Sequence, residues 1–170
     1  MRTLLGLIDR CSTVALWAAK ALFVAMVATM MYEIAARYLF GAPTLWAYDV
    51  TYMVNGSLFA LAAGYTLKVN GHIRIDFLSA RLPVQARTII EVVFCVGLLW
   101  PALGVLVYVA ASESWNAYAT GQVEPASPWR PLIWPFYATG ALGLACLLLQ
   151  SVAQTLRVGL RAVAPQRAAQ

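Results

Sequence analysis

Four long apolar runs, separated by short segments rich in polar residues, proline and glycine, dominate the pattern of the chain. A helix that crosses the hydrocarbon core of a bilayer needs about 20 mostly apolar residues. The runs cover residues 13–32, 50–67, 92–112 and 131–156. The pattern therefore predicts an all-α integral membrane protein with four transmembrane helices at about 13–40, 43–68, 83–113 and 131–160, in one domain over residues 1–170.

Proline and glycine mark the predicted helix boundaries. Gly41 and Pro43 break the chain after the first helix, and Pro43 suits the first turn of the second, where its missing N–H costs nothing. Asn70-Gly71 is a turn signal, and Pro83 is expected to open the third helix as Pro43 opens the second. The prolines of the 124–135 segment predict an extended connection before the fourth helix.

The composition excludes a soluble domain and several kinds of chemistry. Hydrophobic residues make up 62% of the 170 residues and charged residues 11%, where a soluble domain carries roughly 25% charged residues. The net charge of +5 is scattered among apolar runs, so no nucleic-acid face is predicted. The three cysteines form no Cys-x-x-Cys pair and His72 is the single histidine, so neither a metal site nor any other cofactor site is expected in this chain. No nucleophile with a base is recognisable either, and the chain is not predicted to be an enzyme.

The distribution of Lys and Arg predicts the orientation, because these residues accumulate on the cytoplasmic side of membrane proteins. Ten lie in the N-terminal portion, the middle connection and the C-terminal tail, whereas Arg37 and Arg130 lie on the other side. Both termini are therefore predicted to be cytoplasmic. The ten are Arg2, Arg10, Lys20, Lys68, Arg74, Arg81, Arg87, Arg157, Arg161 and Arg167.

Aromatic residues gather at the predicted outer ends of the helices. Trp46, Trp115, Trp129 and Trp134 all fall near that headgroup layer, which amphipathic rings favour. Arg130 lies beside Trp129 in the last connection. Aromatic residues and arginine are also favoured at protein interfaces, so Trp115, Trp129, Arg130 and Trp134 are candidates either for interface anchors or for docking residues.

A second group of candidates lies at the end of the first helix and the start of the second. Glu33 and Arg37 are spaced i, i+4 and share a helix face, and Asp49 is expected at the same outer level. Ionisable groups near lipid usually face protein or water. Together with Trp46, the group is interpreted as a cluster that pairs the helices or contacts a partner. Two alternatives are side chains that extend to water and a proton-coupling role for Glu33.

The third group lies in the middle connection, where His72, Arg74 and Asp76 alternate with apolar residues. A period of two indicates an extended, amphipathic interfacial segment. Such a segment could dock on a partner subunit or on anionic headgroups, or it could simply connect two helices.

Taken together, these segments resemble the small membrane subunit of tripartite ATP-independent periplasmic (TRAP) transporters, the DctQ-like family. The resemblance extends from about Thr13 to Leu160. The family often has two acidic residues after the tryptophan, where this chain has Tyr48 and then Asp49. The matching stretches are Tyr32–Pro43 with Trp46 and Asp49, Gly71–Leu78, Leu82-Pro83 and Ser127–Leu132.

The resemblance implies a three-part uptake system in a bacterial inner membrane. A periplasmic binding protein would capture an organic anion, and a large membrane subunit would hold the sodium and solute sites and move as an elevator. This chain, surrounded by membrane lipids, would scaffold the large subunit and help to dock the binding protein. The alternative from the residues is a self-contained, small proton-coupled transporter or channel that uses Glu33.

Overall fold

The described residues of the chain fold into α-helices. We analysed a computed structural model, which describes residues 2–69 and 83–163. The helices are α1 (Arg2–Leu39), α2 (Ala47–Lys68), α3 (Val84–Phe94), α4 (Trp100–Thr120) and α5 (Trp134–Val163). Over these two ranges there is no β-strand, only an isolated antiparallel bridge between Val123 and Leu132. The predicted all-α class is confirmed.

Helix α1 is longer than predicted because nothing in the sequence interrupts it. It begins at Arg2 rather than near residue 13, and no proline or glycine occurs between Leu7 and Leu39. It ends before Gly41, which adopts the left-handed conformation (φ 63°) that glycine tolerates best. The N–H of Ala42 then donates to the carbonyl oxygen of Ala36 at 3.0 Å, which satisfies one of the last carbonyl groups of the helix.

Helix α2 begins at Ala47, four residues later than predicted, so Pro43 is not in its first turn. The preceding segment is held in an irregular conformation by Glu33, which accepts a hydrogen bond from the backbone N–H of Thr44 at 3.0 Å. This N–H has no partner within α2, so the bond satisfies it and fixes the segment beside α1.

Helices α3 and α4 form one continuous rod, because the turn between them, Cys95–Leu99, is π-helical. Pro101 follows one residue after this turn and lacks the N–H that an α-helical bond would need, so the wider turn accommodates it. The rod continues beyond the predicted residue 113 as far as Thr120, and Gly121 then ends it in the left-handed conformation (φ 61°). The N–H groups of Gly121 and Gln122 donate to the carbonyl oxygens of Tyr118 and Ala117, a Schellman ending.

The connection between α4 and α5 was predicted to be extended, and this prediction is wrong. The chain turns back on itself, since the N–H of Glu124 donates to the carbonyl oxygen of Pro131 at 2.9 Å and that of Ile133 to Gln122 at 3.2 Å. Arg130 sits in the turn with a left-handed φ of 53°. We call this folded segment, residues 121–133, the α4–α5 loop.

Helix α2 packs between α1 and α5, and its contact with α5 brings the two backbones together. A Cβ atom added at Gly143 would lie 2.4 Å from the carbonyl carbon of Ala60, and one added at Gly64 would lie 3.3 Å from the backbone of Cys146. Small residues permit this close approach in membrane helix pairs, where packing and hydrogen bonds stabilise the association. The α3–α4 rod packs along α5.

Three segments of the described helices are long and apolar enough to cross a membrane: Leu5–Leu39, Thr88–Thr120 and Trp134–Val158. Helix α2, with 22 residues, is a shorter helix and is not one of the three. Only 6% of the most apolar stretch in Thr88–Thr120 is buried inside the chain. Most of the apolar surface of the rod is therefore available to lipid or to another protein.

Candidate functional site

Glu33 is the centre of a hydrogen-bonded cluster at the C-terminal end of α1. Its Oε1 accepts bonds from Nε and Nη2 of Arg37 at 2.9 and 2.5 Å. Its Oε2 accepts the backbone N–H of Thr44 at 3.0 Å and also the Thr44 hydroxyl. Glu33 is 8% exposed, so a nearly buried carboxylate fixes the segment that leads into α2.

Trp46 lies beside this cluster, at the N-terminal end of α2. Its ring stacks on that of Tyr32 with 5.8 Å between centroids and 27° between planes. The stack connects α1 to the start of α2 on the same end of the molecule as Glu33, which we call the Glu33 end.

Asp49 does not join Glu33 and Arg37. It lies in the first turn of α2, where a negative charge is favoured by the helix dipole, and its Oδ2 accepts a hydrogen bond from the hydroxyl of Ser127. The Ser127 oxygen in turn accepts the N–H of Trp129 at 3.1 Å. The structure therefore divides the predicted group into two: Glu33 with Arg37 and Thr44, and Asp49 with the α4–α5 loop.

An open groove of about 380 Å³ lies where the α4–α5 loop meets the start of α2. Two carboxylates, those of Asp49 and Glu124, lie in its lining together with the rings of Tyr48 and Tyr52. The groove thus combines negative charge with exposed aromatic surface.

The predicted anchor residues occupy two different environments. Tyr118 packs between two of them, with 6.1 Å between its ring centroid and that of Trp115 and 5.5 Å to that of Trp134, the second contact being edge-to-face. These rings connect the end of α4 to the start of α5. Trp129 and Arg130 are exposed in the α4–α5 loop, so the structure does not bring all four anchor candidates together.

A second polar cluster, which the sequence analysis did not single out, lies at the opposite end of α1. Nη2 of Arg157 donates to Oδ2 of Asp9 at 2.7 Å, and Nε2 of Gln150 donates to Oδ1 at 3.2 Å. Nζ of Lys68 donates to the backbone oxygen of Asp9 at 3.2 Å and to the hydroxyl of Thr13 at 3.0 Å. We call this the Asp9 cluster; it joins α1, α2 and α5.

Two more bonds reinforce the same three helices. The hydroxyl of Ser12 donates to Oε1 of Gln150 at 2.9 Å, and both residues are buried. The hydroxyls of Ser57 in α2 and Thr139 in α5 are 2.6 Å apart. The sequence signal for the Asp9 cluster was present but weak: an acid before the predicted start of the first helix and an arginine near the end of the last.

Two sets of polar residues from the sequence analysis remain: Lys20 and the three residues of the middle connection. Lys20 is exposed on α1, and its Nζ lies 4.6 Å from the ring centroid of Trp17, within reach of a cation–π interaction. His72, Arg74 and Asp76 lie outside the described residues. Among the residues that the structure does describe, no three or more His, Cys, Asp or Glu side chains come together in a group that could hold a metal ion.

A comparison with known protein families shows which family the chain belongs to. Residues 26–160 match the family model described as "Tripartite ATP-independent periplasmic transporters, DctQ component". No curated protein matches the chain. The matched range contains Glu33, Asp49, Lys68 and Arg157, whereas Asp9 lies before it. The resemblance seen in the sequence is confirmed.

Proposed function

Because the chain belongs to the DctQ family, the small membrane components of tripartite ATP-independent periplasmic transporters, we propose that it is the non-catalytic small subunit of a sodium-coupled transporter of this kind. It scaffolds the large elevator subunit and helps a periplasmic binding protein to dock, so that an organic anion is taken up. The observation that carries this proposal is the family match over most of the chain.

The packing of the helices supports a scaffold role for the chain. The contacts between helices use small residues and satisfied hydrogen bonds, as in the Ser57–Thr139 pair and at Gly143 against Ala60. A pathway for a polar solute needs polar groups near the membrane midplane, which transporters place around broken helices. The pairing of α2 with α5 is instead a close backbone contact. We therefore assign the sodium and solute sites to the large subunit.

We propose that α2 is the fourth membrane span. Its 22 residues measure about 33 Å, which suits a hydrocarbon core of about 30 Å. It also runs alongside α1 and α5, which contain two of the three apolar spans. Four spans place both termini on one side, and the excess of Lys and Arg in the termini and the middle connection makes that side the cytoplasm of a bacterium. The Asp9 cluster is then at the cytoplasmic end and Glu33 at the periplasmic end.

The alternative function is a self-contained proton-coupled transporter or channel that uses Glu33. The burial of this carboxylate in an apolar helix is the observation in its favour. Both of its oxygens are already occupied, however, by Arg37 and by Thr44. A carboxylate bound in this way stabilises a local fold, and we favour that role.

Co-purification tests the proposal. The chain carries an affinity tag and is co-expressed with the large membrane subunit and the binding protein. We expect the large subunit to elute with the tagged chain in mild detergent, and the binding protein to bind the pair more strongly than either component. If the large subunit elutes freely and cells take up the solute without this chain, the proposal is wrong.

A further inference from the structure

One side of α2 is exposed over the first part of the helix, from Tyr48 to Phe59. Tyr48, Tyr52, Asn55 and Phe59 follow the spacing i, i+4, i+7, i+11, which places them in one stripe on a helix. Tyr48 is 78% exposed and Phe59 67%. We call this stripe the α2 face. The other two sides of the helix are covered by α1 and α5.

Asn55 makes the α2 face unsuited to lipid. It lies about 12 Å from the start of α2 and about 20 Å from its end, so in a membrane-spanning α2 it is deep in the hydrocarbon. Within the described residues its side-chain amide has no hydrogen-bond partner. Hydrocarbon offers none either, and exposing a bare amide to it is costly. A protein group opposite Asn55 removes that cost.

The exposed middle of α4 has the composition that a lipid-facing surface requires. It presents Val105, Leu106 and Val109. Helix α2 is flanked by helices that are apolar enough to span a membrane, yet it is not among them. Because the most apolar stretch of α2 is less apolar than those of α1 and α5, we expect protein, rather than lipid, to cover more of its surface.

The groove extends the α2 face at the Glu33 end and adds charge. Tyr48 and Tyr52 belong to both, and the carboxylates of Asp49 and Glu124 lie beside them. Because the groove is lined by two carboxylates, it favours a partner that carries a cationic side chain at the same end.

We propose that the α2 face receives a membrane-spanning helix of the large subunit. This helix carries a hydrogen-bonding side chain opposite Asn55 and an Arg or Lys beside Asp49 and Glu124. The inference rests on the proposed function, since it assigns the contact surface for the large subunit.

The two carboxylates disfavour the other occupants. A second copy of the chain related by a two-fold axis would contact the same patch on its partner and place Asp49 and Glu124 of both copies near each other. The like charges would repel. Anionic lipid headgroups would be repelled at the groove in the same way, while their tails would leave Asn55 without a partner.

Site-specific photocrosslinking tests the proposal in the complete complex. Phe59 is replaced by the photoreactive residue p-benzoylphenylalanine, and Tyr108, which is 74% exposed on α4, is replaced in the same way as a matched control. We expect Phe59 to yield at least about five times more crosslink to the large subunit than Tyr108. Crosslinks between two small subunits, equal yields at both positions, or no protein crosslink from Phe59 would each overturn the assignment.

Substitutions provide a second readout that does not depend on crosslinking. A hydrogen bond between membrane helices corresponds to about a three- to tenfold change in affinity, so Asn55→Leu should weaken retention of the large subunit by that factor. The melting temperature of the isolated chain should be unchanged or higher, because a bare amide is removed. Asn116→Leu removes the same group from the exposed surface of α4 and should leave retention unchanged.

Charge reversal examines the groove separately. Glu124→Lys should weaken retention at least about threefold at low salt, whereas Glu113→Lys, an exposed position on α4, should change it little. Equal retention in Asn55→Leu, Glu124→Lys and the unmodified chain would overturn the inference. If the unmodified chain itself fails to hold the large subunit, it is the proposed function that fails.

Discussion

The corner formed by α1, α2 and α5 and the rod formed by α3 and α4 are held in different ways. In the corner, the Asp9 cluster bonds three helices together and glycine brings two backbones into contact. The rod, by contrast, presents a largely exposed apolar surface and packs along α5. In a bilayer, apolar surface alone does not position a helix, because lipid is an equally good neighbour. The corner is therefore the part of the molecule in which specific polar and backbone contacts join the helices.

The largest effect should come from filling the closest backbone contact of the corner. Gly143→Ala places a Cβ atom 2.4 Å from the carbonyl carbon of Ala60, so α2 and α5 must separate. Overpacking of this kind costs about 1–3 kcal/mol in the free energy of unfolding. Thermal unfolding in detergent micelles measures it. Gly140→Ala is the control on the same helix, because nothing lies within 4 Å of its added Cβ; an equal loss there would contradict the account.

Removing the carboxylate of the Asp9 cluster should have the next largest effect. Asp9→Ala leaves Arg157 and Gln150 without their shared acceptor, and because the pair is partly solvent-exposed we expect a loss of about 1 kcal/mol. A double-mutant cycle with Arg157→Ala isolates the pair. Additive losses in the two single variants would show that the ion pair does not connect α1 to α5.

Glu33→Gln tests the contacts at the Glu33 end of the corner. The variant loses the charge that binds Arg37 but keeps an oxygen for Thr44, so the helices should remain folded while docking or assembly weakens. We expect uptake by the complete transporter to fall by about twofold to fivefold, because the Arg37 side chain is about half exposed and solvent weakens the ion pair. The affinity of the isolated binding protein for its solute should not change. Complete loss of uptake would instead favour the proton-coupling alternative.

The smallest effect should come from the rod. Tyr108→Leu exchanges one exposed, largely apolar side chain for another, and the free energy of unfolding should change by less than about 0.5 kcal/mol. The same unfolding measurement in micelles applies. A loss as large as that of Gly143→Ala would remove the contrast between the rod and the corner.

The sequence was sufficient for the class of fold and for the family. Long apolar runs and the punctuation by proline and glycine located the described helices approximately, because a membrane span needs a long, mostly apolar stretch. The end of α4 was missed, since the apolar run stops near residue 112 whereas the helix continues to Thr120 and ends at the left-handed Gly121.

The exact starts of α1 and α2 could not be predicted. Polar residues such as Asp9 and Arg10 precede the first apolar run, yet α1 continues through them back to Arg2. The segment before α2 is held against α1 by the bond from the N–H of Thr44 to Glu33.

The candidate site was only partly predictable, since it depends on which segments fold against each other. Glu33 and Arg37 are four residues apart on one helix, so their pairing followed from helix geometry. The partner of Asp49 is Ser127, which is reached only because the α4–α5 loop turns back over α2. Gln150 was not singled out in the last apolar run, because only the packing of α1 on α5 shows that it binds Ser12 and Asp9.

Solute uptake into proteoliposomes under an inward sodium gradient tests the central claim most directly. The chain is reconstituted alone, then with the large membrane subunit, and then with the binding protein as well. The account predicts uptake only in the complete mixture and none from this chain alone. Uptake by the chain alone, abolished by Glu33→Gln, would contradict the scaffold role and make Glu33 part of a transport pathway.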